Sequence, residues 1–380
     1  MGFHIVKRDN CPLWKRAVLY LAAVLVALVI GAIVLFAIGV NAFEYYTQMF
    51  TLGTIGNPIA YKTIMNYLKE LVPLALTSVA LSLAFKMKFW NIGGEGQFIM
   101  GSITATFIAL KLGPVLPEFL TLILMCVGAM AVAGLYGLIA AALKVKFGTN
   151  ETLMTLMLNY IALYVLYYIA ETKAPWNFFL KESSARPVFQ IFGYPNEDFP
   201  YKVAFPEIPI GPKFKLNICV ILMALVGVLI YFYIKRTKQG YEISVVGDSI
   251  GSARYAGMKV NRIILRTVFL SAALIGLAAA FKIGSAGGLS SAITDDVGWT
   301  GIIVAWLSQL NTGVIFGVSA LISILQYGST VAAATFSRVD SSFANMLQGV
   351  ILFLVLAADF CIRFRIVRVK KEKKEVESNE

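Results

Sequence analysis

The residues of this chain best suited to chemistry form one polar, glycine-rich stretch. It reads Phe89-Trp90-Asn91-Ile92-Gly93-Gly94-Glu95-Gly96-Gln97 and lies between two apolar segments. It brings together one carboxylate, two side-chain amides and three glycines. Inside a membrane the protein itself has to satisfy every such polar group, or use it. We therefore predict that this stretch shapes a functional site within a membrane protein.

The composition indicates a membrane protein because apolar residues make up 58% of the 380 residues and charged residues only 14%. Soluble domains average about 25% charged residues. The apolar surplus forms long blocks at 17–40, 119–143, 216–234 and 346–361. Each approaches or exceeds the roughly 20 residues that cross a bilayer as a helix. The sequence thus predicts an all-α integral membrane protein.

The formal net charge of +12 does not indicate nucleic-acid binding, because the basic residues gather at the ends of apolar blocks. This is the distribution found on the cytoplasmic side of membrane proteins. It predicts that both termini are cytoplasmic. The first apolar run is too long for a cleaved signal peptide and is interpreted as a retained span.

About ten transmembrane helices are predicted, with the chain between them alternating from side to side. The inside loops are 86–96, 144–151, 235–262, a tight turn near Asn311 and the C-terminal tail. The predicted segments are 16–40, 63–85, 97–112, 119–143, 152–171, 216–234, 263–282, 299–311, 313–332 and 345–362.

The third and eighth of these segments are unusual because each follows a glycine-rich polar stretch, at 91–97 and 284–298. The first stretch is expected inside and the second outside. Segments 2–5 and 7–10 therefore look like an inverted repeat, a pattern typical of transporters with a midplane site. Alternatively, these glycines only allow close helix packing.

The chain is predicted to be a single transmembrane domain with six parts. The long external loop is a lid, a docking surface or a passive connector. The parts are 1–62 (first span and external linker), 63–171 (first repeat), 172–215 (external loop), 235–262 (inside loop), 263–362 (second repeat) and 363–380 (cytoplasmic tail).

Motifs for catalysis are absent from the sequence. It has no phosphate-binding P-loop, no complete dinucleotide fingerprint and no metal-ligand cluster, and its single histidine is His4. Its four cysteines are expected to be free thiols. The carboxylates near spans, Glu95, Glu151, Asp295, Asp296 and Asp359, are placed at segment ends, which argues against coupling to an ion gradient without excluding it.

The inside loop 235–262 is predicted to hold a short helix that begins with Asp248 as its cap, runs through Ala256 and stops at Gly257. Small residues beside an exposed aromatic and a basic residue suit a groove on a partner protein. The candidate docking residues are Gly247, Asp248, Ala253, Arg254, Tyr255, Ala256 and Gly257.

Three motifs together resemble the permeases of ABC importers, and within them the nucleoside group of the ribose and branched-chain amino acid branch. They are Asn91–Gln97 with Met100-Gly101, then Asn150-Glu151-Thr152 with Thr155–Ala162, and Val246-Gly247-Asp248 through Met258. The resemblance covers nearly the whole chain. It departs from the family at Asp248, where Asn is more usual, and in the turn 310–313, which lacks a proline.

The resemblance implies that the inside loop holds a coupling helix for a separate ATPase. ATP would then be used by that partner, with no cofactor bound by this chain. Further implied partners are a second permease subunit, in a homodimer or heterodimer, and a substrate-binding lipoprotein or periplasmic protein. The expected location is the bacterial cytoplasmic membrane. The alternatives are an ion-coupled carrier of a small polar solute and an ABC permease for a sugar such as ribose.

The residues predicted to line the solute pathway come from the physical properties of the two glycine-rich regions. A tryptophan stacks on a nucleobase or anchors the chain at the membrane interface. Glu95 either caps free amide groups at the start of the third helix or faces the pore, and we favour capping. The predicted pathway residues are Trp90, Asn91, Gly93, Gly94, Glu95, Gln97, Ser290 and Trp299.

Overall fold

The computed structural model describes residues 2–7, 12–171, 201–290, 292–336, 338–340 and 342–369. Within them lie thirteen helices and four short strands. They form two compact units, one made of Met1–Thr51 with Gly328–Glu380 and the other of Leu52–Tyr327. Residues 172–200 of the predicted external loop 172–215 and the tail after residue 369 lie outside the described residues.

The helices account for all ten predicted segments and add three short ones, α2, α8 and α9. Their bounds are α1 Leu13–Ala37, α2 Ala42–Phe50, α3 Ala60–Lys86, α4 Gly94–Leu112, α5 Glu118–Phe147, α6 Glu151–Glu171, α7 Ile218–Arg236, α8 Lys238–Asp248, α9 Ile250–Tyr255, α10 Val260–Ala286, α11 Val297–Leu307, α12 Thr312–Thr335 and α13 Ser342–Arg363.

Eight of the described helices are long and apolar enough to cross a membrane, which confirms the all-α membrane fold. The two predicted segments outside this set are α4 and α11. Polar residues in its first turn reduce the hydropathy of α4. With 11 residues, α11 spans about 16 Å, roughly half of a bilayer core. These are the two helices that follow the glycine-rich stretches.

The first unit joins the two ends of the described chain. Strand β1 (Gly2–Lys7) pairs antiparallel with β4 (Phe364–Val369), from Gly2 opposite Val369 to Lys7 opposite Phe364. Because two paired strands have to lie on the same side of a membrane, this agrees with the prediction that both termini share one side. That this side is the cytoplasm stays a prediction.

The second unit is built around α3 and α10, the most deeply buried helices in it. Every residue from Val72 to Phe85 and from Ser271 to Gly284 is buried. Small residues allow this packing, as at Gly101, where an added Cβ would lie 2.9 Å from the Gly276 Cα. Small side chains at helix contacts are the usual means of bringing membrane helices together.

The segment 201–217 covers the end of α10 that is remote from α9. The Phe205 N–H donates to the Gly284 carbonyl at 3.1 Å. Strands β2 (Glu207–Pro209) and β3 (Lys215–Asn217) then form a short hairpin before α7. This backbone hydrogen bond therefore attaches the segment 201–217 to the end of α10 near Gly284.

The inverted repeat is open to a direct test by thiol labelling. Lys88 and Ser290 are both exposed and belong to the two glycine-rich regions. Lys88→Cys and Ser290→Cys, each in a cysteine-free chain, are expected to react with impermeant reagents from opposite sides. Reaction of both from the same side would contradict the predicted topology.

Candidate functional site

The loop before α4 is fixed by a reciprocal pair of side-chain amides. Asn91 Nδ2 donates to Gln97 Oε1 at 3.1 Å, and Gln97 Nε2 donates to Asn91 Oδ1 at 3.0 Å. The Gly93 N–H donates to the same Asn91 oxygen at 3.1 Å. Both amides are buried. In the structure, the two amides thus stabilise the loop before α4. Their contact with solute stays a prediction.

A second set of hydrogen bonds attaches this loop to α6. The Gly96 N–H donates to Asn159 Oδ1 at 2.8 Å, and Asn159 Nδ2 donates to the Ile92 carbonyl at 2.9 Å. The Ile92 N–H donates to Thr155 Oγ1 at 3.2 Å. A Cβ at Gly96 would lie 2.9 Å from the Asn159 Cα, so glycine permits this contact. Two of the three sequence motifs therefore meet here.

Glu95 caps the N-terminus of a helix, but of α11 and not of its own helix. Its Oε2 accepts a hydrogen bond from the Gly298 N–H at 2.8 Å. The Thr294 side chain and the Trp299 N–H are further partners. No side-chain cap is found at the start of α4. The prediction that Glu95 caps the start of α4 is therefore wrong, because its carboxylate caps α11 instead.

Two glycines allow the N-termini of α4 and α11 to meet. A Cβ on Gly298 would overlap the backbone of Glu95, and a Cβ on Gly94 would lie 3.6 Å from the Gly298 Cα. Each helix N-terminus carries about +0.5 elementary charge. Glu95 lies in the first turn of α4 and accepts from the first turn of α11, so its carboxylate holds the two ends together.

An aromatic cluster lies at the other end of α11. Trp90 stacks on Trp306 with a centroid distance of 5.1 Å and an interplanar angle of 13°. Phe85 contacts both rings. Trp90 and Trp306 remain 44% and 37% exposed, so ring surface is accessible at this cluster. The sequence analysis predicted a role for Trp90 but did not identify Trp306, on which it stacks.

Of the remaining predicted pathway residues, Trp299 and Ser290 belong to α11 and the loop before it, whereas Gly93 is bonded to the amide pair. Trp299 is partly exposed in the first turn of α11. Ser290 is exposed in the loop before that helix, where its carbonyl accepts from the Ile293 N–H at 3.2 Å. Gly93 ends the turn that precedes α4. Whether these residues contact solute stays a prediction.

The predicted coupling helix exists, with a different start. Asp248 is the last residue of α8, and the helix cap is Ser249, whose Oγ accepts from the Ser252 N–H at 3.2 Å. The expectation that Asp248 caps the helix is therefore wrong. A hydroxyl one residue later has the same capping chemistry. The stop at Gly257 agrees with its φ of +74°.

The candidate docking residues divide into two groups. Gly247 and Ala253 are buried, and a Cβ on Gly247 would overlap the Lys86 carbonyl. Tyr255 is 97% exposed, and its neighbours Arg254 and Ala256 are exposed as well. The first group thus attaches the loop to the helices, whereas the second group is available to a partner.

A buried apolar cluster connects the coupling helix to the glycine-rich loop. Ala253 of α9 packs in the same cluster as Met87 and Phe89, which directly precede Trp90. An ion pair between Arg266 and Glu242, at 3.1 Å, also ties α10 to α8. A displacement of α9 would therefore act on the chain that enters the site.

The sequence prediction missed an ionisable group inside the helices. Lys282 of α10 is buried and forms ion pairs with Glu70 of α3 and with Asp295. The sequence analysis considered only carboxylates near the spans, and it ended the predicted segment at residue 282, whereas α10 continues to Ala286. A single lysine hardly changes the mean hydropathy of a 27-residue helix, so the apolar pattern gave no signal of it.

Residues 63–356 match the family described as branched-chain amino acid transport system, permease component. The guanosine ABC transporter permease protein NupP of Bacillus subtilis is 29% identical over 93% of this chain and 96% of its own. The nucleoside ABC transporter permease protein NupB of Lactococcus lactis is 24% identical over 94% of both. The glucose ABC transporter permease protein TsgB13 of Haloferax volcanii is 25% identical over 94% and 92%.

Two substitutions of Glu95 are expected to distinguish the stabilising contribution of its charge from that of its hydrogen bond. Glu95→Gln keeps an acceptor for Gly298 and should cost about 0.3–1 kcal/mol. Glu95→Ala leaves a buried N–H unpaired and should cost about 1–3 kcal/mol. Thermal unfolding in detergent measures both changes. Glu44→Ala, at an exposed first-turn position of α2, is the matched control. Equal stability of the Glu95→Ala variant and the parent would contradict the capping role.

Proposed function

The chain belongs to the family of permease components of branched-chain amino acid transport systems, and from this premise we propose that its solute is a nucleoside. It is the membrane-spanning permease subunit of an ABC importer. We further propose that its pathway runs past the contact between α4 and α11. The contact between Glu95 and Gly298 carries this proposal, because it brings together inside the protein the N-termini of two helices that follow glycine-rich stretches.

The chemistry around this contact suits a neutral solute with both flat and polar surfaces. The exposed faces of Trp90 and Trp306 offer stacking area for a planar ring. The exposed Ser290 hydroxyl in the loop before α11 suits hydroxyl and carbonyl oxygens. A nucleoside combines a planar base with such oxygens. The names of two relatives, a guanosine and a nucleoside permease, support the same solute class.

The energy for transport would enter through α9. The proposed partner is an ATPase subunit that contacts the exposed face around Tyr255 and moves it during the ATP cycle. The apolar cluster of Ala253, Met87 and Phe89 would pass this movement to the loop before α4. A second permease subunit and an external substrate-binding protein complete the proposed assembly, in a bacterial cytoplasmic membrane with α9 facing the cytoplasm.

A sugar is the second candidate solute, and the relative named as a glucose permease favours it. Sugar rings also stack their C–H faces on tryptophan and bind through hydroxyl groups. The two candidates differ in their need for aromatic area. A base needs the full face of a ring, so replacing Trp306 should weaken nucleoside uptake more than sugar uptake.

Uptake of labelled solutes tests the proposed function. A deletion strain complemented with this chain should recover uptake of nucleosides such as guanosine, and not of glucose, ribose or leucine. The uptake should disappear when the partner ATPase cannot hydrolyse ATP. Recovery of glucose uptake alone would identify a sugar permease. Uptake that persists without the ATPase and stops on collapse of the proton gradient would identify an ion-coupled carrier.

Substitution of Tyr255 tests the coupling surface. Tyr255→Asp is expected to bury an unpaired charge in the interface, at a cost of several kcal/mol to assembly. Co-purification with the ATPase and ATP-driven uptake should both fall, while insertion into the membrane persists. Tyr241→Asp places the same charge at an exposed position of the neighbouring helix α8 and serves as the control. Normal co-purification and transport by the Tyr255 variant would contradict the docking role.

A further inference from the structure

Lys282 occupies an unusual position for a charged residue. Among the side chains that the structure describes, only Glu95 and Lys282 combine a formal charge with burial, at 8% and 6% exposure. Lys282 lies four residues before the end of α10. An ionisable residue inside a membrane helix is costly and usually marks a function. The contact between Glu95 and Gly298 accounts for one of the two charges and leaves the other unexplained.

The Lys282 ammonium joins three separate elements. It donates to Glu70 of α3 and, at 3.0 Å, to Asp295 in the loop before α11. The helix α10 supplies the lysine itself. We name Glu70, Lys282 and Asp295 the ion triad. Because it contains two carboxylates and one ammonium, the triad keeps one excess negative charge.

Within the triad, the Lys282 side chain is buried, whereas the side chains of Glu70 and Asp295 are more exposed. The Glu70 side chain is 37% exposed and that of Asp295 is 60% exposed. A buried ammonium without partners would cost several kcal/mol, so the closed arrangement depends on both carboxylates. Water already reaches the acids in the paired arrangement, so hydration of the carboxylates can replace the contact with Lys282.

The loop that carries Asp295 has a strained backbone. Asp295 and Asp296 have φ values of +43° and +56°, in the left-handed region that side chains other than glycine rarely adopt. Strain of this kind persists only where the surroundings hold it in place. The contact with Lys282 is one such restraint. Loss of this contact would therefore favour movement of the loop.

Movement of this loop would reach the proposed pathway within a few residues. Asp295 lies three residues before Gly298, whose N–H is held by Glu95. The N-terminus of α11 is thus held from two directions, by α4 through Glu95 and by α10 through the triad. The Phe205 contact at Gly284 lies at this same end of α10, remote from α9.

We propose that Lys282 is a positioning residue that holds the loop before α11 closed and so shuts the end of the pathway remote from α9. The proposal rests on the transport function proposed above. Opening at this end would require the bond between Lys282 and Asp295 to break and both groups to be hydrated. The triad would then close again after the solute has passed.

A buried reporter in the loop tests this proposal without a transported solute. Ile293 is 6% exposed, two residues before Asp295. A cysteine at this position should react slowly with a thiol reagent in the complete membrane complex, as counted by mass spectrometry at that site. Asp295→Asn should accelerate the reaction by about tenfold, which corresponds to 1.4 kcal/mol of lost closure. Lys282→Met should do the same.

The control variant is Lys69→Met. Lys69 is adjacent to Glu70 in sequence and is paired with Glu207 at 2.7 Å, outside the triad. Its loss should leave the labelling rate at position 293 unchanged. The double variant Lys282→Glu with Asp295→Lys restores one opposite pair and should return the rate towards that of the parent. A purely structural role predicts lower yield for all of these variants without a selective change in labelling.

The outcomes separate this inference from the function on which it rests. Unchanged labelling in both Asp295→Asn and Lys282→Met would overturn the proposal, whichever solute is transported. If Lys282→Met fails to assemble, the half-exposed Asp295 still provides the decisive variant. Faster labelling in a chain that carries sugars would keep the closure and reject only the nucleoside. In a transporting chain, Asp295→Asn should also increase ATP hydrolysis per solute imported.

Discussion

The meeting of two helix N-termini at one carboxylate is the constraint on which the arrangement of the second unit depends. Two positive helix ends repel each other unless a negative group lies between them, and Glu95 is that group. Gly298 allows the approach because a side chain there would overlap the Glu95 backbone. The short α11 and the polar start of α4 both follow from this contact. Neither helix can continue through the point where the other begins.

The rest of the unit holds this junction in place. α3 and α10 form a rigid buried core of small and apolar residues, and the amide pair of Asn91 and Gln97 fixes the loop that enters α4. Along α11, the ion triad restrains the chain before the helix, Glu95 its first turn, and the stack with Trp90 its last turn. These are ionic, capping and aromatic contacts, respectively. Because the three contacts involve different partners, each can be broken separately.

The sequence predicted what depends on local composition, and it missed what depends on distant partners. All ten apolar segments correspond to helices because hydrocarbon length and hydropathy act within each segment. The polar site around Glu95 was likewise visible in nine consecutive residues. The helix that Glu95 caps could not be predicted, because Gly298 lies 203 residues away. Lys282 was hidden by the apolar average of α10, and the cap of α9 fell on Ser249 because Asp248 ends α8.

The charge balance at the junction bears on the kind of solute that passes it. At the junction, the Glu95 carboxylate is already engaged by the N-terminus of α11, which carries a partial charge of about +0.5. A zwitterionic amino acid needs separate partners for its ammonium and carboxylate groups, and the two charges of the junction are paired with each other. A nucleoside or a sugar needs only hydrogen bonds and flat apolar area. The exposed Ser290 hydroxyl before α11 and the ring faces of Trp90 and Trp306 are of these two kinds. Within a family described by amino acid transport, the junction therefore favours neutral polar solutes.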